Sequence, residues 1–84
     1  MTINDFELLN VENQIMVVFD GVFICELKEE RVFVQLHYIK DLYVEVFCSS
    51  IDDTILFMRP FVNRSRLERY WKNVSLKELE VYLK

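Results

Sequence analysis

Catalysis through a serine or cysteine nucleophile needs a histidine base, and His37 is the only histidine in the chain. It lies in the alternating run Val32 to Tyr38, on the side shared with Phe33 and Gln35, where the two readings are a hydrogen-bonded histidine on a sheet and a general base. Cys25 and Cys48 sit among Phe, Val and Leu, surroundings in which a thiol behaves as a small hydrophobe with a raised pKa. A zinc site would need closely spaced ligand pairs, but Cys25, His37 and Cys48 are each more than ten positions from the next, so no metal is expected. Asp52 and Asp53 are neighbours in a turn-rich stretch, where the Asx-turn role accounts for them better than paired acid catalysis. A chain with one glycine cannot build a phosphate-cradling loop, and no cofactor is expected. The expected catalytic set is therefore empty.

Two further groups could bind. Glu45 stands mid-strand on the side of Tyr43 and Phe47, either solvated or facing a basic side chain in a semi-apolar cleft. Arg59, Arg64, Arg66 and Arg69 lie near Phe61, Tyr70 and Trp71, a mixture that could track phosphates and stack bases. Only Arg66 and Arg69 fall together outside the apolar stripe, with Glu68 placed to pair with Arg64 and Lys72. The acidic remainder would repel a polyanion, so nucleic acid is not the expected partner.

The elements that must carry these residues can be read from periodicity. Thr2-Ile-Asn-Asp5 has capping-box spacing ahead of Phe6, Leu8 and Leu9, and predicts a short helix. Val11, Ile15, Val18 and Phe19 fall on one helical face, with Asn10 as N-cap and Gly21 at a C-terminal position that tolerates φ > 0. The same stretch also reads as a hairpin, because Ile15 to Phe19 is rich in β-branched residues and Asp20-Gly21 is a turn signal. From Gly21 on, the pattern is a strand: Phe23, Cys25 and Leu27 share one side. Val32 to Tyr38 and Leu42 to Cys48 alternate likewise, with Lys40-Asp41 as a tight connection, and Thr54 to Phe61 makes a fourth strand with Pro60 at its end or on an edge. Ser65-Arg-Leu-Glu68 and Ser75-Leu-Lys-Glu78 are S-x-x-E starts for two terminal helices, the first bearing Leu67, Tyr70, Trp71 and Val74, the second Leu76, Leu79 and Leu83.

The prediction is an α+β fold over 1–84 as a single domain: an antiparallel four-stranded meander with short N-terminal and C-terminal helices packed on one face. With 84 residues, 52% apolar, 29% charged and one proline, the composition excludes disorder and low-complexity character. No run approaches the ~18 apolar residues of a membrane span. Asp5, Glu7 and Glu12 replace a basic leader region, and two cysteines fit buried thiols rather than a disulfide scaffold, so the expected compartment is the cytoplasm. The net charge of −4 is unevenly spread: residues 1–58 hold 11 acids and three bases, and residues 59–84 three acids and seven bases. Such a dipole either marks an anion-binding end or draws an acidic sheet and a basic helical region together.

The order of pieces resembles a group of small uncharacterised bacterial α+β proteins, through Gly21-Val-Phe23, Tyr43-Val-Glu-Val46, Arg59-Pro-Phe61, Leu67-Glu-Arg-Tyr70 and Leu76 to Leu79. Trp71 after Tyr70 and Cys48 after Phe47 depart from that pattern. The resemblance implies a helical pair before the meander, which favours helix for residues 11–20, and it implies no activity. Both faces of the predicted sheet carry apolar residues, and short helices cover only one face well. The expected function is therefore non-enzymatic: protein–protein interaction or self-association, as a homodimer or with an unknown partner, through a surface around Phe33, Tyr43, Glu45 and Phe47. The alternative is a small-molecule or anion-binding cleft near Glu45, His37 and the C-terminal arginines, and a third reading is single-stranded nucleic-acid binding.

Overall fold

The computed structural model describes residues 1–71, with the backbone alone for Trp71. The Ser75 start signal, Val74 and the leucines at 76, 79 and 83 lie outside the described residues. Two helices, α1 (Ile3–Glu7) and α2 (Val11–Asp20), precede four strands, β1 (Val22–Lys28), β2 (Val32–Ile39), β3 (Leu42–Ser49) and β4 (Ile55–Phe61), and a 3-10 turn over Arg64–Leu67 runs into α3 (Glu68–Trp71). The strands form one antiparallel sheet in the order β1-β2-β3-β4, the expected meander.

The local signals explain most of the boundaries. The Thr2 hydroxyl accepts from Asp5 N at 3.0 Å and the Asp5 carboxylate accepts from Thr2 N at 3.1 Å, closing a capping box in which aspartate serves as well as glutamate. Residues 11–20 are helix, N-capped by Asn10, whose side chain accepts from Asn13 N at 2.8 Å. Gly21 caps that helix at φ −83°, not in the left-handed region the sequence suggested. Glycine is needed there for room: a Cβ would run into Ile39 Cγ2 and lie 2.8 Å from the Tyr38 carbonyl oxygen. Lys40 and Asp41 have φ of 38° and 70°, the paired positive values of a two-residue I′ hairpin. The Asp52 carboxylate accepts from Thr54 N and Thr54 Oγ1 at 3.2 and 2.7 Å, the expected Asx turn. Pro60 pairs with Val44 near the end of the edge strand β4, where a missing donor is tolerated.

Three expectations are corrected. A bulge between Phe23 and Cys25 sets Phe23 opposite His37 and Cys25 opposite Leu36, so Phe23 does not share a side with Cys25 and Leu27. The C-terminal helical segment is capped two residues before Ser65: Asn63 is the cap, its side chain accepting from Ser65 N at 3.0 Å, because an Asx cap and a serine cap compete for neighbouring orphan donors. The helices also divide between the two faces of the sheet. Phe6 and Val18 pack with Ile39, Leu42, Val44, Val46 and Cys48 on one side, while Leu67 and Tyr70 pack with Cys25, Val34, Leu36, Tyr43 and Phe61 on the other. Strict alternation along β3 feeds both clusters, so that strand is buried on both faces over Leu42–Val46. No helix among the described residues is long and apolar enough to cross a membrane.

Candidate functional site

The functional candidates separate onto the two faces. On the face covered by the 3-10 turn and α3, Glu45 is fully buried. β3 delivers it between Tyr43 and Phe47, and the register places it level with Leu36 on β2 and Arg59 on β4. Its two oxygens accept from three donors: Arg66 Nη2 at 3.0 Å on Oε1, and Tyr70 Oη at 2.7 Å and Arg69 Nη1 at 3.4 Å on Oε2. Arg69 also bridges to Glu29 at the end of β1. Burial raises the Tyr70 hydroxyl far above its ordinary range and the neighbouring carboxylate adds to it, so this tyrosine is a permanent donor. The Arg66 guanidinium lies over Phe61 and that of Arg69 over Tyr70, each 5.5 Å from the ring centroid. Of the two readings of Glu45, the partnered one is correct, and the acidic and basic parts of the chain meet here.

The basic patch expected at Arg59, Arg64, Arg66 and Arg69 is consequently divided. Arg66 and Arg69 turn inward to carboxylates, Arg59 lies 5.7 Å over both Phe47 and Phe57, which stack at 4.3 Å, and Arg64 is exposed. The expected surface is divided too. Tyr43 and Glu45 are buried, Phe47 is half-buried beside Phe57, and Phe33 belongs to the opposite face with Cys48 and Gln35. Cys25 and Cys48 are buried on opposite faces and are not joined in a disulfide; burial pushes the Cys48 thiol up.

His37 lies on the other face, away from Glu45 and the arginines, so no single cleft unites them. It is 3% exposed, between the rings of Phe19 on α2 and Phe23 on β1, which meet it edge-on at 4.9 and 5.5 Å. Its Nε2 lies 3.1 Å from Gln35 Oε1, and Gln35 Nε2 donates to a Glu26 oxygen at 3.3 Å. A carboxylate only accepts, which turns the Gln35 amide so that its oxygen faces His37 and must receive a proton from Nε2. The neutral ring therefore carries its hydrogen on Nε2. Nδ1 is left an acceptor, buried and without a partner among the described residues. Burial lowers the His37 pKa, in keeping with a neutral ring. Phe19, Gly21, Phe23, Gln35 and His37 line an open cleft of about 280 Å³.

Beside that cleft lies a feature that sequence reasoning missed. Met16, Phe19, Val22 and Phe23 are 67%, 50%, 42% and 52% exposed along the second half of α2 and the start of β1. Met16 and Phe19 flank one depression, Phe19 and Phe23 the next, and Val22 lines a third with Val17 and Gly21. The helical reading left Met16 outside the stripe of Val11, Ile15, Val18 and Phe19, but it placed Phe19 on that stripe although Phe19 is half-exposed, and the bulge that brings Phe23 beside Phe19 had no signal. At the far end of β1 and β2 a cleft of about 390 Å³ is bordered by Glu26, Glu29, Glu30 and Asp53 with Lys28 as its one base, surroundings that disfavour an anion. No family model matches the chain, and no curated protein or solved structure matches it either.

Proposed function

We propose that this chain is a non-enzymatic cytoplasmic module that works by self-association, through the apolar strip of Met16, Phe19, Val22 and Phe23 and the adjoining edge of β1. The observation that carries the reading is the exposure of these four large apolar side chains where α2 meets β1. Both sheet faces already have their own helical covers, so the strip is surplus to the fold of one copy. Among the described residues β1 is also an edge strand of the sheet, the kind of strand that pairs with another chain. The buried, unbridged thiols support a reducing compartment.

Light scattering behind size exclusion, over a range of concentrations, tests this. The full chain is expected to exceed its monomer mass of 10.2 kDa as concentration rises. Met16→Glu, which charges an exposed position of the strip and leaves the His37 contacts intact, is expected to return it to monomer with an unchanged circular dichroism spectrum. A monomer at every concentration, or a Met16→Glu variant that assembles as well as the original, would overturn the reading.

A further inference from the structure

We infer that the cleft over His37 is a binding site for a small aromatic molecule carrying one hydrogen-bond donor, the chemistry of a phenol or an indole. The cleft has two half-exposed aromatic walls, Phe19 and Phe23, and at Gly21 a stretch of backbone without a side chain. His37 lines it as well, and its Nδ1 is one of two side-chain polar atoms that are buried without a hydrogen-bond partner among the described residues. The Glu26–Gln35–His37 relay fixes Nε2 as the donor, so Nδ1 can only accept. A buried acceptor without a partner is costly, and an incoming O–H or N–H would recover part of that cost. An apolar ring alone would fill the cleft and leave the lone pair unmet. A carboxylate or phosphate would set an acceptor against an acceptor, with Asp20 bordering the neighbouring depression and Glu26 behind Gln35 adding repulsion. A cleft of about 280 Å³ suits a molecule of one or two rings. The walls meet the imidazole edge-on, so the ligand ring reaches Nδ1 by displacing the Phe19 or the Phe23 ring outward and taking over its edge contact.

The single histidine makes the test direct, because its ring nitrogens give unambiguous signals in long-range nitrogen–proton spectra of the labelled full chain. The free protein is expected to show the Nε2–H tautomer, and addition of p-cresol or indole should move the Nδ1 resonance in a saturable way. Toluene should bind about fivefold more weakly than p-cresol for want of a donor. In His37→Phe, which keeps a ring and removes the acceptor, that difference should vanish. A blocked tripeptide with a central tyrosine distinguishes the source: binding tenfold tighter than p-cresol says that the ring arrives on a chain, and equal or weaker binding says that it arrives free. An Nδ1–H tautomer, an unmoved Nδ1 resonance at millimolar p-cresol, or equal binding of toluene and p-cresol would each overturn the assignment. Running the titrations on Met16→Glu as well separates failure of this site from failure of self-association, since the cleft is intact in that variant.

Discussion

Glu45 and His37 are the two buried polar residues among the described core, and opposite physics keeps each in place. Glu45 is tolerable at full burial because three donors, two of them cationic, replace its water. Removing its charge leaves Arg66 and Arg69 facing a neutral amide, so Glu45→Gln should lower unfolding stability in urea by about 2 kcal/mol, and Tyr70→Phe by about 1 kcal/mol. A loss below about 0.5 kcal/mol for Glu45→Gln would show that the half-exposed arginines already draw their solvation from water. His37 survives by being neutral. Its folded pKa is lowered, so its stabilising share is complete above the ordinary value of 6.5 and is lost as pH falls from there to the lowered folded value. Asp5 and Asp52 are also lowered, by their Thr2 and Thr54 hydrogen bonds, but start from 3.8, so their losses come at more acid pH and leave the His37 window clear. Urea midpoints between pH 7.5 and 5 should fall in the original chain and stay nearly level in His37→Gln; parallel slopes would place the acid sensitivity elsewhere.

Between elements, the corner where α2 meets β1 is set by one missing side chain. Gly21 has a φ that any residue adopts, so Gly21→Ala would ordinarily gain about 0.4–1 kcal/mol from a less free unfolded chain. Here the added Cβ meets the Tyr38 carbonyl at 2.8 Å and the Val18 carbonyl at 3.2 Å, backbone atoms that cannot swing away, besides the Ile39 side chain. The substitution should therefore destabilise by about 2 kcal/mol in urea, and a gain in stability would mean that the corner shifts without cost. This corner also marks the boundary of what periodicity reveals. The strands of β2 and β3 were legible because alternation and a two-residue turn are local, and Thr2–Asp5 because a capping box closes over three residues. The helix at 11–20 was balanced against a hairpin, since Asp20-Gly21 suits both, and contact of α2 with the sheet decides it. The pairing of Glu45 with C-terminal arginines was legible as an alternative from charge alone, but the choice of Arg66 and Arg69 and the part of Tyr70 were not: these partners lie 21 to 25 positions away and reach Glu45 only where the segment after β4 turns back over the sheet.

Taken as a whole, the molecule is a two-sided sheet held together through β3, and that arrangement predicts how it comes apart. Val44 and Val46 belong to the cluster under α1 and α2, while Tyr43 and Glu45 belong with Leu67 and Tyr70 on the opposite side. Neither layer can release its face of β3 without leaving the other layer packed on a strand exposed on its far side, a state with large apolar surface in water. A chain of this size has little stability to spare, so partial forms should be sparsely populated and unfolding should be a single transition. Leu67→Ala, a deletion in the layer away from His37, removes a fully buried side chain and should cost about 3 kcal/mol. The informative readout is the His37 ring signal, which reports on the opposite layer. If β3 couples the faces, the urea midpoint read from His37 falls by the same amount as the midpoint read from strand circular dichroism. If the His37 midpoint stays where it was while the other falls, the layers unfold separately, and the buried carboxylate fastens the C-terminal segment to a sheet that stands without it.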